Sequence, residues 1–343
     1  MNTVLIGSID TLLGEHLKDN YSSYTVLVDE NTRRDCYPLI KDSLPVHSVM
    51  EINSGEENKN LTTCVDIWTY LTTNEVDRSA ILINLGGGVI GDMGGFSASC
   101  YKRGIDFINI PTTLLAQVDA SVGGKLGIDF NGYKNHIGLF TEPEAVLIDP
   151  IFLETLPHKE LLSGFAEIIK HGLIADRSYW NKAKSLPITP ENAGLLIHES
   201  VEIKKNVVSS DFKEAGKRKL LNFGHTIGHA IESFFMESPD HERLLHGEAI
   251  AIGMIAEAWL SMKYGSLSGE ELKEISTYLL ALYGKVVIEE KYFDEIMGRM
   301  SQDKKNKDNK LLFTLLEQIG VGIWDVDVTY EDAEKAIQYY IAL

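Results

Sequence analysis

Three cysteines, Cys36, Cys64 and Cys100, are all that this chain of 343 residues carries. An odd number without metal-type spacing excludes a disulfide framework, and each is read as a small buried thiol of a cytoplasmic protein. Long apolar runs are missing too. None reaches the ~18 residues of a membrane span, and the opening Met1-Asn-Thr-Val-Leu-Ile-Gly-Ser8 lacks the basic and apolar regions of a secretory leader. Positive charge is scarce: 32 Lys and Arg stand against 50 Asp and Glu, a net charge of -18. Such a chain repels phosphate backbones and anionic lipid, so neither a nucleic acid nor a membrane is an expected partner. An anionic small molecule would need its Lys and Arg ligands gathered in one pocket against that field. The sequence also shows no internal repeat and no low-complexity linker.

What is present is globular: 44% of residues are hydrophobic and 24% charged. At roughly 150 residues per domain the length suggests two domains. Short β-branched runs recur early, at Val4-Leu-Ile6, Thr25-Val-Leu-Val28, Ala80-Ile-Leu-Ile83, Phe107-Ile-Asn-Ile110 and Val146-Leu-Ile148. Continuous apolar strands with helix-length connections predict a parallel sheet covered on both faces. After Pro157 the periodicity turns helical, over Lys159 to Ile174, Ala193 to Val208, Thr226 to Met236 and Gly247 to Lys263. The expectation is an α/β nucleotide-binding domain over 1–155 and an all-helical domain over 156–343. The charge run Asp303-Lys-Lys-Asn-Lys-Asp-Asn-Lys310 reads by default as a solvated loop.

The strand from Ala80 runs into Gly86-Gly87-Gly88-Val89-Ile90-Gly91-Asp92, where Gly86, Gly88 and Gly91 fit G-x-G-x-x-G. Glycines there let backbone N–H groups close on a pyrophosphate at a helix N-terminus, although such a run is often only a tight turn. Asp29, at the end of the second strand, is the candidate ribose ligand. Gly124-Lys125 is not a Walker A loop, because Asp119 stands where glycine is required and Leu126 where Ser or Thr is. Glu167 and Lys170 lie three apart on one helical face. In Asn222-Phe-Gly-His225-Thr-Ile-Gly-His229-Ala-Ile-Glu232, two histidines at i, i+4 suit one divalent ion, and His246 follows in His246-Gly-Glu248. Two histidines with Glu167 would leave an open coordination position, as catalytic Zn2+ requires. Spacing favours the pair His225 and His229 but does not decide which two of the three bind. Arg103, Lys125, Lys134, Lys170, Lys204, Arg218, Lys304 and Lys305 sit beside small or apolar residues and are candidates for the anion pocket.

Together the blocks Gly86 to Asp92, Pro111-Thr-Thr-Leu-Leu-Ala-Gln-Val-Asp119 through Lys125, Leu221 to His229 and Asp303-Lys-Lys-Asn306 resemble the 3-dehydroquinate synthase family of sugar phosphate cyclases. The resemblance runs from Gly86 to about Gly320. Tyr133, where the family commonly has Gly, and Met93, where it has Leu, are small departures. The resemblance implies a dehydroquinate synthase-like fold and a homodimer. It makes Glu167, His225 and His246 the ligands of Zn2+, or of Co2+ in its place, and His229 a phosphate contact. Asp119, Lys125, Lys170, Lys204, Asn222 and His229 become catalytic positions, with Asn222 also touching substrate. Lys204 and Arg218 would hold the substrate carboxylate; Asn135, His229, Lys304 and, across the dimer, Arg103 would hold its phosphate. NAD would be held by Asp29, Glu56, Lys59, Gly86, Gly87, Gly88, Asp92, Thr112, Thr113, Lys125 and Lys134.

The implied reaction converts 3-deoxy-D-arabino-heptulosonate 7-phosphate, a sugar-acid phosphate, to 3-dehydroquinate and phosphate. Transient oxidation by NAD acidifies a neighbouring C–H, phosphate is eliminated, the hydride returns, and an intramolecular aldol closes the ring. Two rivals share the plan: a cyclase of the neutral sedoheptulose 7-phosphate, and a metal-dependent alcohol or glycerol dehydrogenase. The cationic pair Lys204 and Arg218 disfavours the first, and the phosphate-binding lysines disfavour the second. A binding protein without activity is disfavoured because every chemical position is filled.

Overall fold

The structure, a computed structural model, describes residues 3–17, 21–120, 122–131, 133–212, 214–238, 242–303 and 311–343, with 301–303 as backbone only. It forms two compact units, Met1–Pro157 with Ala193–Val201, and His158–Asn192 with Glu202–Leu343. The sequence reading makes one cut, at about 155. In the structure Ala193–Val201 goes with the first unit, where a Cβ on Gly194 would stand 3.1 Å from Pro150 Cβ.

The first unit holds β1 (Thr3–Ile6), α1 (Ile9–His16), β2 (Tyr24–Asp29), α2 (Glu30–Asp35), α3 (Tyr37–Ile40), β3 (Ser48–Ile52), α4 (Leu61–Thr73), β4 (Ile81–Gly86), α5 (Gly88–Cys100), β5 (Asp106–Pro111), β6 (Lys125–Phe130), β7 (Tyr133–Phe140) and β8 (Ala145–Ile148). Six strands pair in parallel in the order β1-β8-β5-β4-β2-β3. Successive side chains point to opposite sides, and along the inner strands β2, β4, β5 and β8 nearly all of them are buried, so both faces are covered there. Leu27 and Leu82 join Ile67, Leu71, Met93 and Phe96 in one core cluster. Their neighbours Val26, Val28, Ile81 and Ile83 join Leu13 and Ile40 in the other. β3 carries Ser48 and Glu51 in its five residues, so its apolar signal is weak. β6 and β7 form an antiparallel hairpin beside the sheet, turning at Asn131, whose φ of 51° lies in the left-handed region that Asn tolerates.

The second unit holds α6 (His158–Ala175), α7 (Arg177–Ser185), α8 (Pro190–Ser209, shared through 193–201), α9 (His225–Glu237), α10 (His246–Tyr264), α11 (Gly269–Tyr283), α12 (Phe293–Asp303), β9 (Leu311–Gln318), β10 (Val321–Val328) and α13 (Tyr330–Ala342). It is mainly helical, but the expectation of an all-helical unit is corrected by the antiparallel hairpin β9–β10. Leu311-Leu-Phe-Thr-Leu-Leu316 is a short apolar run that periodicity cannot assign, and the turn rests on Gly320 at φ 93°. α10 is buried from Ala249 to Ala258 and packs against α6, α9, α11, α13 and β9, which makes it the central helix of the unit. Among the described residues no helix is long and apolar enough to cross a membrane.

Asp332, in the first turn of α13, accepts hydrogen bonds from Lys263 Nζ, the Tyr264 hydroxyl and Thr329 Oγ1. The bonds from Lys263 and Tyr264 hold its pKa down at about 2. A folded pKa below the unfolded ~3.9 contributes stability that is present above the unfolded value and lost as pH falls through the folded one. Asp332→Asn is expected to lower the melting temperature at neutral pH and to flatten its decline between about pH 4 and pH 2. Melting curves across that range check this; a decline identical to the wild type refutes it.

Candidate active site

In the first unit, parallel pairing lines up the carboxyl ends of β2, β4 and β5, where open parallel sheets bind ligands. Asp29 ends β2, Gly86 ends β4, and Thr112 and Thr113 follow β5. Thr112 N–H donates to the Gly86 carbonyl at 3.0 Å. A Cβ on Gly86 would stand 2.5 Å from Ile90 Cγ1, so this close turn admits only glycine. Gly87 heads α5 and no side chain caps that helix. An uncapped N-terminus framed by Gly86, Gly87 and Gly88 is an anion cradle and fits a dinucleotide pyrophosphate. Asp29 itself caps α2: its Oδ1 accepts from the amides of Asn31 and Thr32 at 3.0 and 2.8 Å.

Lys59, only 4% exposed, is tied on several sides. Its Nζ lies 2.5 Å from Asp92 Oδ2, 2.6 Å from Asn135 Oδ1 and 3.8 Å from Glu56 Oε1. Burial disfavours its charge, but Asp92 and Glu56 outweigh that and raise its pKa. Asn135, at φ 50°, donates its backbone N–H to Asp129 Oδ1 at 2.7 Å. Asn135 thus stands with Lys59 and Asp92, residues to which the family resemblance gives an NAD role, although its own expected role is phosphate binding. Lys125 opens β6, and Lys134 lies beside Asn135 on β7. Lys125 and Asp92 line a small pocket together with Gly88, Gly91 and Asn109. Asp119 lies in the π-helical turn Ala116–Ala120, and Arg103 in a turn at φ 70°.

In the second unit, α6 presents Glu167 with no solvent exposure. Lys170, one turn along, makes an ion pair with its Oε2. Its Oε1 accepts no hydrogen bond and faces two imidazoles, His225 Nε2 at 3.5 Å and His246 Nε2 at 3.6 Å. The other nitrogen of each ring is engaged. His225 Nδ1 lies 3.1 Å from the Phe223 carbonyl, which only accepts, so Nδ1 carries the proton. His246 Nδ1 lies 3.6 Å from Glu232 Oε2. Three donor atoms converge with both rings oriented from behind, the arrangement that divalent-ion sites use. The unpartnered Glu167 Oε1 is the atom such an ion would satisfy. The His229 ring centroid is 4.9 Å from that of His225, and His229, Glu232 and His246 form a second close donor set sharing His246.

Burial pushes the Glu167 carboxyl up, but the Lys170 charge and the contacts from His246 and His225 hold it well below its ordinary value. Burial and the Lys170 charge push His225 well below the usual range. For His246 burial also lowers the pKa, yet the facing carboxylates of Glu167 and Glu232 prevail and raise it to about 9. Without a metal, then, His225 is neutral and His246 carries a proton.

Lys204 and Arg218 are buried at 4% and 3% exposure. Arg218 Nη1 donates to the Phe212 carbonyl at 2.7 Å, and Asn222 Nδ2 donates to Glu214 Oε1 at 2.6 Å. Lys304 and Lys305 lie outside the described residues. The sequence reading assigned no role to Glu214 or Glu232. Glu232 had a signal, three residues after His229 on one helical face, whereas Glu214 had none.

Residues 49–163 match the family model for the 3-dehydroquinate synthase N-terminal domain, and residues 164–306 match that for the C-terminal domain. A 3-dehydroquinate synthase of Parabacteroides distasonis is 40% identical over 328 residues, covering 93% of this chain and 92% of that one. Among solved structures, a 2-epi-5-epi-valiolone synthase from Streptomyces hygroscopicus with NAD+ and Zn2+ bound superposes with a TM-score of 0.84 at 26% identity, covering 100% and 97% of the two chains. A 2-deoxy-scyllo-inosose synthase complexed with carbaglucose-6-phosphate, NAD+ and Co2+ gives 0.84 at 24% identity over 98% and 96%, which speaks to the fold alone.

Replacing Lys170 by Met removes the cation beside a fully buried carboxylate. The metal-free protein is expected to lose about 3–5 kcal/mol of stability, the usual result of breaking a buried pair. Added Zn2+ should restore part of the loss by supplying the missing charge. Calorimetric melting with and without Zn2+ checks this, and equal melting of variant and wild type in both conditions refutes it.

Proposed function

The chain belongs to the 3-dehydroquinate synthase family, and from this premise we propose that it is an NAD- and divalent-metal-dependent, phosphate-eliminating lyase. It converts 3-deoxy-D-arabino-heptulosonate 7-phosphate to 3-dehydroquinate and phosphate. The observation that carries the reading is the convergence of His225 Nε2 and His246 Nε2 on the unpartnered, buried Oε1 of Glu167. When bound, NAD+ takes up and gives back one hydride, so that no net oxidation results, while Zn2+ or Co2+ polarises the reacting oxygen as a Lewis acid.

The protein's part is to bind, orient and neutralise. Glu167, His225 and His246 hold the ion, with Lys170 fixing the Glu167 carboxylate through its other oxygen. Gly86, Gly87 and Gly88 cradle the pyrophosphate, and Lys59, Asp92, Glu56, Thr112, Thr113, Lys125, Lys134 and Asp29 complete the NAD site. Lys204 and Arg218 grip the substrate carboxylate. His229, Asn135, Lys304 and the partner subunit's Arg103 take its phosphate, and Asp119, Lys125, Lys170, Asn222, Lys204 and His229 have catalytic roles. Grip at both charged ends supplies the orientation that lets one site host successive steps. The same reading makes the enzyme a cytoplasmic homodimer, with which its three free thiols accord.

The likeness in shape to 2-epi-5-epi-valiolone synthase favours one second reading, a cyclase of a neutral sugar phosphate. Buried Lys204 and Arg218 speak against it, because they offer positive charge that a substrate carboxylate matches and a neutral hydroxyl does not.

Incubation with the heptulosonate phosphate, NAD+ and Zn2+ is expected to release inorganic phosphate without lasting NADH absorbance. Accumulating NADH, or turnover of sedoheptulose 7-phosphate in preference, would overturn the assignment. Lys204→Ala and Arg218→Ala should each lose about 2–5 kcal/mol of substrate binding, as truncated buried charge pairs do, with NAD+ affinity intact. Titration calorimetry separates the two, and unchanged substrate affinity in both variants removes the carboxylate role.

A further inference from the structure

Glu257 lies on α10 with no solvent exposure and is not one of the three converging donors. A carboxylate so placed must be met by donors or positive charge. Two backbone amides at the head of α9 meet it: Gly224 N–H donates to Oε2 at 2.6 Å and Ile227 N–H to Oε1 at 3.1 Å. A helix N-terminus is ordinarily capped by the side chain of its own leading residue. In α9 that residue is Gly224, at φ 80°. No side chain fits there, since a Cβ would stand 2.5 Å from Met254 Cγ. From the other side, a Cβ on Gly253 would stand 1.9 Å from the Gly224 carbonyl oxygen. The two helices approach so closely that a local cap is excluded. The carboxylate reaches over from α10 instead, and the positive end of the α9 dipole adds to its stabilisation.

What this fixes is His225. It is the first residue of α9, lying between the two amides that Glu257 holds. α10 begins with His246, so this one helix carries one imidazole in its first turn and, about three turns further along, anchors the backbone of the other.

We propose that Glu257 is a positioning residue of the metal site: it pre-sets His225 before the ion arrives and thereby sets the affinity of Glu167, His225 and His246 for Zn2+. The inference rests on the reading of that trio as a metal site.

Full-length Glu257→Gln keeps the size and one acceptor but turns an amide NH2 toward one of the two backbone N–H groups. Competition of the metal-stripped proteins with a chromophoric chelator is expected to show Zn2+ affinity reduced about 10- to 100-fold, as for loss of other supporting partners. NAD+ affinity should not change, and the visible absorption of the Co2+-loaded form should shift. Wild-type Zn2+ affinity in a variant with the native circular dichroism overturns the proposal and leaves Glu257 a structural cap. Should the variant not fold, hydrogen exchange on the wild type decides. The amides of Gly224 and Ile227 are expected to be as protected in the stripped protein as in the Zn2+ form, and protection gained only on adding Zn2+ overturns pre-setting. Failure of the underlying reading looks different: the wild type, like His246→Ala, would then bind no Zn2+ at all.

Discussion

Glu167 is a carboxylate removed entirely from water, and in such a place a negative charge that is not matched costs several kcal/mol. Much of the second unit is arranged around meeting that demand. Lys170 on the same helix answers through one oxygen, and the two imidazoles answer through the other. In the metal-free state the proton on His246 supplies part of the positive charge, and a divalent ion supplies more of it in the same region. Side chains on α6, α9 and α10 can meet only if the helix backbones come unusually close, and glycines beside the histidines allow it. A Cβ on Gly247 would stand 2.2 Å from the Ser163 carbonyl oxygen, and one on Gly228 would stand 3.0 Å from that of Ala249. The glycines next to His229 and His246 therefore serve the convergence of helices rather than any flexibility of the chain.

In the first unit the constraint is a buried cation. Lys59 joins the short turn that carries it to Asp92 on α5 and Asn135 on β7, while its own carbonyl accepts from Asp129 N–H at 2.8 Å. The hairpin β6–β7 is thereby tied to the helix whose uncapped N-terminus forms the anion cradle. That helix also lies hard against the sheet: a Cβ on Gly94 would stand 1.9 Å from Asn84 Oδ1. The glycine that permits this packing falls outside the G-x-G-x-x-G stretch, so the motif glycines are left to shape the turn itself.

Five of the six strands in the parallel sheet were legible because burial on both faces demands unbroken apolar runs. β3 escaped because Ser48 and Glu51 interrupt it, and β9–β10 because a short leucine-rich run is equally compatible with helix. The site was legible in kind. Glycines after a strand pointed to a phosphate, and clustered histidines near a carboxylate pointed to an ion. Spacing along one helix drew attention to His225 with His229, yet the atoms facing Glu167 come from two different helices. Contacts across helices leave no periodic trace in a sequence, and family resemblance was needed to favour His246 over His229. Glu257 was invisible for the same reason, since its partners are main-chain amides that any sequence possesses.

The net charge of -18 looks ill suited to an enzyme that takes a substrate with two anionic ends. The two act over different ranges. Exposed acids are screened within about 8 Å at physiological ionic strength, so their repulsion fades close to the surface. Lys204 and Arg218 are at most 4% exposed, where water and salt weaken their fields far less. A few buried cations can then outweigh many screened carboxylates at short range. The acidic exterior in turn disfavours polyanions too large to reach the interior. Affinity for a small anion is thus compatible with a negative net charge, because it depends on where the charges are buried and not on their sum.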